Sequence, residues 1–134
     1  MQVLSYTINI NPPLANDAVP SLREKVGWGR RDKDFPTLFK RCNFYAAAIN
    51  SSGNLIGFGY ICGMGLEHGY MEDIIVDPDY QGQEIGTDLV KALLQEANRF
   101  GLEIITISYV PKHTSFYKRC GFTPSGGGVW QKNS

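Results

Sequence analysis

The sequence predicts an α+β fold, a mixed and mostly antiparallel twisted sheet flanked by helices. Three observations carry this. Apolar patterns of period 2 and period 3.6 follow one another in the order strand, two helices, three strands, helix, strand, helix, strand. Grouped strands of this kind favour a mixed sheet over a doubly wound one. Phe44 to Asn50 and Leu55 to Cys62 are β-rich runs joined by Ser51-Ser52-Gly53-Asn54, the pattern of a hairpin. From about Gln83, the positions Ile85, Leu89, Leu93, Ala97 and Phe100 recur at helical spacing until Gly101, which marks the longest helix. The 134 residues suit one domain over 1-134.

Taken in order, Val3 to Ile10 (VLSYTINI) alternates like an edge strand and is stopped by Asn11-Pro12-Pro13, whose prolines lack backbone donors. Asn16 or Asp17 caps a helix carrying Val19, Leu22 and Val26 on one side, and Gly27-Trp28-Gly29 ends it. Arg30 to Asp34 reads as a charged loop, and Phe35, Leu38 and Phe39 fit a short second helix. In the second hairpin strand Gly57 and Gly59 share one side, which invites close approach, and Phe58 and Tyr60 share the other. Gly69 to Val76 (GYMEDIIV) is a further strand, broken by Asp77-Pro78. Beyond the long helix, Leu102 to Ser108 is β-rich and Thr114 to Cys120 is a short helix closed by Gly121. Val129-Trp130-Gln131 then reads as a last strand, after the turn Gly126-Gly127-Gly128.

Thirteen Lys+Arg balance thirteen Asp+Glu, so the chain lacks the basic footprint of a nucleic-acid binder and no nucleic-acid partner is expected. Cys42, Cys62 and Cys120 are odd in number and far apart, which offers neither a disulfide framework nor a metal site. Free thiols in a reducing cytosol, and no metal, are expected. Met1 to Thr7 has neither the basic start nor the apolar run of a signal peptide, and no run approaches the roughly 18–20 apolar residues of a membrane helix. The expectation is a cytoplasmic protein without a membrane partner.

Chemistry concentrates in two places. Val76-Asp77-Pro78-Asp79-Tyr80-Gln81-Gly82-Gln83-Glu84-Ile85-Gly86 sets a glycine-containing loop between a strand and the start of the longest helix. Unpaired N–H groups and the positive end of the helix dipole make such a junction an anion site without any lysine. It lacks both the GxGxxG of a dinucleotide fold and the GKT or GKS of a phosphate loop. The second cluster is Ser115-Phe116-Tyr117-Lys118-Arg119-Cys120-Gly121-Phe122, in which Phe116 and Cys120 stack four apart and Tyr117 is aimed off the core-facing stripe.

Together, IIVDPDYQGQEIG, a helix, a strand and FYKRCGF resemble the GNAT N-acyltransferase superfamily in order and spacing. The resemblance spans roughly Gly69 to Trp130, and the first half joins it through its strand, helix, helix, strand, strand order. Within the family, Met71-Glu72-Asp73 and Phe116 to Phe122 look most like the glucosamine-6-phosphate N-acetyltransferases.

The resemblance implies acetyl-CoA as co-substrate. It places the pyrophosphate on Gln81, Gly82, Gln83, Glu84, Ile85, Gly86 and Thr87, with Glu84 where the family usually has glycine. A carboxylate there costs Coulomb energy against a pyrophosphate. The resemblance also implies that the backbone of Ile74, Ile75 and Val76 pairs with the pantetheine arm, and that Tyr117 is the general acid for the departing thiolate.

A protonated amine must lose a proton before it attacks, and Glu72 is the first candidate base, Asp73 the second. Strand alternation sets these two on opposite faces. His68 and His113, lone histidines in loops, are weaker candidates. Gly27-Trp28-Gly29-Arg30-Arg31 falls in the region that covers the acceptor in this family, where a Trp beside two Arg suits an aromatic or anionic acceptor, and Trp28 and Arg30 are expected at the substrate together with Glu72.

Cys120, on the inward side of its helix, is not expected to be a nucleophile. The function expected is acetyl transfer to a primary amine, most simply of a small molecule, with a homodimer left open. A non-catalytic acyl-CoA-binding or interaction domain is the alternative, and acylation of a protein lysine or N-terminus a third. From Glu67 to Asp88 there are seven acidic residues and no Lys or Arg, which favours a cationic amine near the proposed base.

Overall fold

The computed structural model of the protein describes residues 5–133. Its strands are β1 (Tyr6–Ile10), β2 (Phe44–Asn50), β3 (Leu55–Cys62), β4 (His68–Val76) and β5 (Ile104–Ile107). They form one sheet in the order β1-β2-β3-β4-β5, antiparallel except for the parallel pair β4 and β5. The helices are α1 (Ala18–Lys25), α2 (Thr37–Arg41), α3 (Ile85–Phe100) and α4 (Thr114–Arg119). This is the mixed, mostly antiparallel α+β architecture expected. Val3 and Leu4, the start of the expected first strand, lie outside the described residues.

The sheet separates two apolar cores. On one face α3 buries Ile85, Leu89, Val90, Leu93 and Ala97 against Phe44, Ile56, Ile61 and Met71. Gly57 and Gly59 permit this contact: a Cβ on Gly57 would come within 2.8 Å of Leu89 Cδ1 and 3.1 Å of Ala48 Cβ. On the other face Phe58, Tyr60 and Ile75 pack with Tyr45 against Val19 and Leu22 of α1, with Phe35, Leu38 and Phe39 beside them. Period-2 alternation along β3 thus sorts Gly57 and Gly59 toward α3, and Phe58 and Tyr60 toward α1 and α2.

Three expectations need correction. Val129-Trp130-Gln131 forms no strand: the segment has no regular structure, and Val129 and Trp130 are 76% and 84% exposed. β-propensity alone does not make a strand without a ladder partner and a buried face, and Gly126 to Gly128 supply no side chain to pack. Arg30 to Asp34 is not wholly irregular, because Asp32–Asp34 makes a 3₁₀ turn. His68 opens β4 rather than lying in a loop, and its Nε2 is 2.9 Å from Thr106 Oγ1 on β5.

Candidate active site

β4 is nine residues long and β5 four, and their pairing runs only from His68 opposite Ile104 to Met71 opposite Ile107. β5 ends at Ile107, opposite Met71. The edge of β4 from Glu72 to Val76 therefore has no strand partner on the β5 side, while its other edge pairs β3 through Phe58 with Ile75 and Gly57 with Val76. The Ile74 and Ile75 side chains pack in the two cores, Ile75 being 2% exposed. What this stretch offers a ligand is backbone.

The loop after β4 is held from several sides. Asp77, 3% exposed, accepts from Lys25 Nζ and from the Asp79 N–H, each at 2.9 Å, and its own N–H donates to Ile56 O. That contact raises Lys25 above the ordinary lysine range. Gln81 Nε2 donates to Val76 O at 3.2 Å. Gly82 and Glu84 both adopt left-handed backbone, φ 82° and 65°, and α3 begins at Ile85 with no side-chain cap from Glu84. The first N–H groups of α3, from Ile85, Gly86 and Thr87, and the positive end of its dipole face this loop.

Left-handed geometry at Glu84 explains why glycine suits that position, a reason the sequence reading had not supplied. Two carboxylates share the helix start, because Asp88 lies one turn on and accepts from Tyr6 Oη at 2.5 Å. Burial and the Asp88 contact, with Glu84 adding, push Tyr6 up to about 12.

β4, α3 and α4 meet at Gly86. A Cβ there would lie 3.3 Å from Phe116 and 3.6 Å from Val76, so even a methyl group would press on the Phe116 ring. Tyr117 is not turned away from the core as expected: it is the buried residue of α4, 8% exposed. The reason is tertiary, since Tyr109 stacks on it at 4.9 Å and Phe122 meets it edge-on at 5.8 Å. Burial pushes its hydroxyl up to about 12, with Cys120 and Tyr109 adding. Cys120 is partly buried, and burial raises its thiol.

On the other side of β4 lies a cavity of about 160 Å³. β4 lines it with Glu72 and Asp73 and β3 with Tyr60. Arg23 comes from α1, and Arg31, Asp34, Phe35 and Leu38 come from the region between α1 and the end of α2. Glu72 and Asp73 share this one cavity, against the expectation of opposite faces. Asp73 is left-handed, φ 56°, and the β3–β4 register slips between Phe58 and Tyr60, a bulge that breaks the alternation.

Within the cavity Arg23 Nη1 meets Asp73 Oδ2 at 2.6 Å, with both side chains mostly buried, and Arg23 Nε donates to Gly29 O at 2.7 Å. Burial raises the Asp73 carboxyl, with Arg23 pulling the other way. Tyr60 Oη donates to Glu72 Oε2 at 2.9 Å. Burial, then the charges of Asp73 and Glu72, hold the Tyr60 hydroxyl far above its ordinary value.

Trp28 packs over the Arg23 guanidinium, 5.3 Å from its ring centroid, without lining the cavity. Arg30 lies outside, bound to Asp32 through two contacts at 3.0 Å and to Glu24 at 3.2 Å. Of the Trp28-Gly29-Arg30-Arg31 run expected at the acceptor, only Arg31 lines the cavity, whereas Arg23 and Tyr60 are site residues that the sequence did not single out. The position of Tyr60 on the helix-facing side of β3 was the available signal. A larger cavity of about 420 Å³ between α3, β5 and Phe122 has Glu103 as its only charged lining residue, and Glu72, Asp73, Glu84 and Tyr117 do not line it.

Comparison with known proteins bears on this geometry. The model of the family described as acetyltransferase (GNAT) matches residues 13–122. An uncharacterized N-acetyltransferase ycf52 of Pyropia yezoensis is 27% identical over 112 residues, 81% of this chain and 64% of that protein. The match thus spans less than two thirds of that relative. Glucosamine 6-phosphate N-acetyltransferase 1 of Oryza sativa subsp. japonica is 35% identical over 54 residues, 40% of this chain and 33% of that one. Among solved structures, the GNAT family N-acetyltransferase YhbS of Escherichia coli, in complex with CoA, superposes with a TM-score of 0.76 at 23% identity, over 92% of this chain and 71% of that chain.

Proposed function

This chain belongs to the GNAT acetyltransferase family, and on that footing we propose that it transfers an acetyl group from acetyl-CoA to the primary amine of a small molecule by direct attack. The observation that carries the reading is the bulge at Asp73, which gives Glu72 and Asp73 to one cavity on the strand whose far edge is open.

The residues fit the co-substrate in two respects. The open β4 edge can pair with an extended arm, and the uncapped start of α3 after Gly82 can receive phosphate oxygens through N–H groups. Bound acetyl-CoA supplies the activated thioester. The carboxylates of Glu84 and Asp88 oppose its phosphates, and this observation favours the alternative of a non-catalytic acyl-CoA-binding or interaction domain.

In the catalytic reading Glu72 takes the proton of the incoming ammonium. It is the better base of the two because Asp73 is engaged by Arg23, whereas Glu72 accepts only from Tyr60 and stands at the exposed rim. Tyr117 steadies the departing thiolate as a hydrogen-bond donor. A hydroxyl at about 12 beside a thiol of about 8.5 keeps its proton through the physiological range. Calorimetry with acetyl-CoA tests the common premise, and no binding would defeat both readings. If it binds, thiol release across an amine panel separates them. Tyr117→Phe is expected to lower kcat about 100-fold with CoA affinity unchanged, and equal turnover by the variant would remove Tyr117 from the mechanism.

A further inference from the structure

We propose that the acceptor is a compact cationic amine carrying no phosphate or other dianionic group, in contrast to the substrate named for the rice relative. This rests on the acetyltransferase reading above and specifies the chemistry of the same cavity.

Five charged residues line that cavity: Arg23, Arg31, Asp34, Glu72 and Asp73. Four of them pair off. Arg23 is bound to Asp73 at 2.6 Å and Arg31 to Asp34 at 2.5 Å, which leaves Glu72 with no ion-pair partner among the described residues. The lining therefore carries one uncompensated negative charge, and the neutral donor beside it, Tyr60, already gives its hydrogen to that carboxylate.

Neither arginine is free to take a phosphate. The Arg23 side chain is 14% exposed and divides its donors between Asp73 and the Gly29 carbonyl, so recruiting it would strand a mostly buried carboxylate. Arg31 is 63% exposed and its pair with Asp34 is weak, but swinging it toward a phosphate leaves Asp34 in the lining and the sum unchanged. A primary ammonium meets the opposite situation. It satisfies Glu72, and its carbon skeleton meets Phe35 and Leu38. A cavity of about 160 Å³ admits a short skeleton.

The test compares matched acceptors, ethanolamine with O-phosphoethanolamine and glucosamine with glucosamine 6-phosphate, in acetyl transfer by the whole chain. Binding of the same amines to the protein saturated with CoA is measured alongside. The unphosphorylated member of each pair is expected to have a kcat/KM and an affinity at least tenfold greater. Asp34→Asn releases Arg31 and should narrow that gap at least threefold, while leaving CoA affinity unchanged. Preference for the phosphorylated member in either measurement overturns the inference and leaves the acetyltransferase reading standing. Tighter binding of the unphosphorylated amines with no transfer to any of them supports the ligand chemistry assigned to the cavity and counts against the catalytic reading that makes this ligand an acceptor. Equal affinities within each pair overturn it as well.

Discussion

Replacing Glu84 by glycine should make the protein both more stable and better at holding CoA, for two separable reasons. Glu84 sits at φ 65°, where a side chain costs roughly 1–2 kcal/mol and glycine costs little. Part of that gain is offset by the freedom glycine adds to the unfolded chain, about 0.4–1 kcal/mol, so the net expected is about 0.5–1 kcal/mol. With an unfolding entropy of ~0.3 kcal/mol per kelvin for a chain of this length, Tm rises by about 2–4 °C.

The electrostatic part is independent. Removing a carboxylate from beside a phosphate group relieves on the order of 1 kcal/mol of Coulomb repulsion in water, so CoA should bind about 3- to 10-fold more tightly, less at high salt. Glu84→Gln separates the two: it removes the charge and keeps the strained backbone. Losing the carboxylate forgoes about 0.3–1 kcal/mol with the helix dipole and relieves about 0.2–0.5 kcal/mol of repulsion with Asp88 one turn on, so its Tm should barely move. Thermal unfolding and calorimetric titration with CoA, on the wild type and both variants, read the four quantities. Weaker CoA binding by both variants would show that the Glu84 carboxylate makes a useful contact. An unchanged Tm for Glu84→Gly would refute the argument from backbone strain.

Arg23→Ala leaves Asp73 mostly buried without its partner and frees the Gly29 carbonyl, and should cost about 2–3 kcal/mol in urea unfolding; a loss under about 0.5 kcal/mol would show the pair to be ornamental. Gly57→Ala forces a Cβ to within 2.8 Å of Leu89 Cδ1 and 3.1 Å of both Ala48 Cβ and Ile85 Cγ2, and should cost about 1–3 kcal/mol by the same measurement. An undiminished urea midpoint would mean that α3 does not press on β3 at Gly57. Tyr6 and Tyr117 are both raised to about 12 in the folded protein, against about 10 unfolded. Folding therefore favours their protonated forms, a contribution complete below pH 10 and lost as pH climbs through 12. Urea midpoints should fall steeply across that window, less so for Tyr117→Phe, and a flat profile would contradict both shifts.

Local pattern decided the elements, and it could do so because hairpin, amphipathic helix and turn each rest on contacts a few residues apart. Phe44 to Asn50 and Leu55 to Cys62 form strands with the bounds read from the sequence, and Gly57 and Gly59 proved to be the seat of α3. The stretch from Val76 to Gly86 is a strand-to-helix loop, as its glycines and prolines implied. What local pattern could not decide depends on distant partners. Tyr117 is buried because Tyr109 and Phe122 close over it, and Val129 to Gln131 stays bare because no neighbouring strand takes up its backbone. Glu72 and Asp73 share a cavity because a register slip against β3 puts one residue in the left-handed region, a choice made by the strand pair and invisible to alternation. Zero net charge was legible from composition alone, but which charges remain unpaired was not. Arg23 lies 50 residues before Asp73, and only folding brings them to 2.6 Å and leaves Glu72 as the unmatched charge of the cavity.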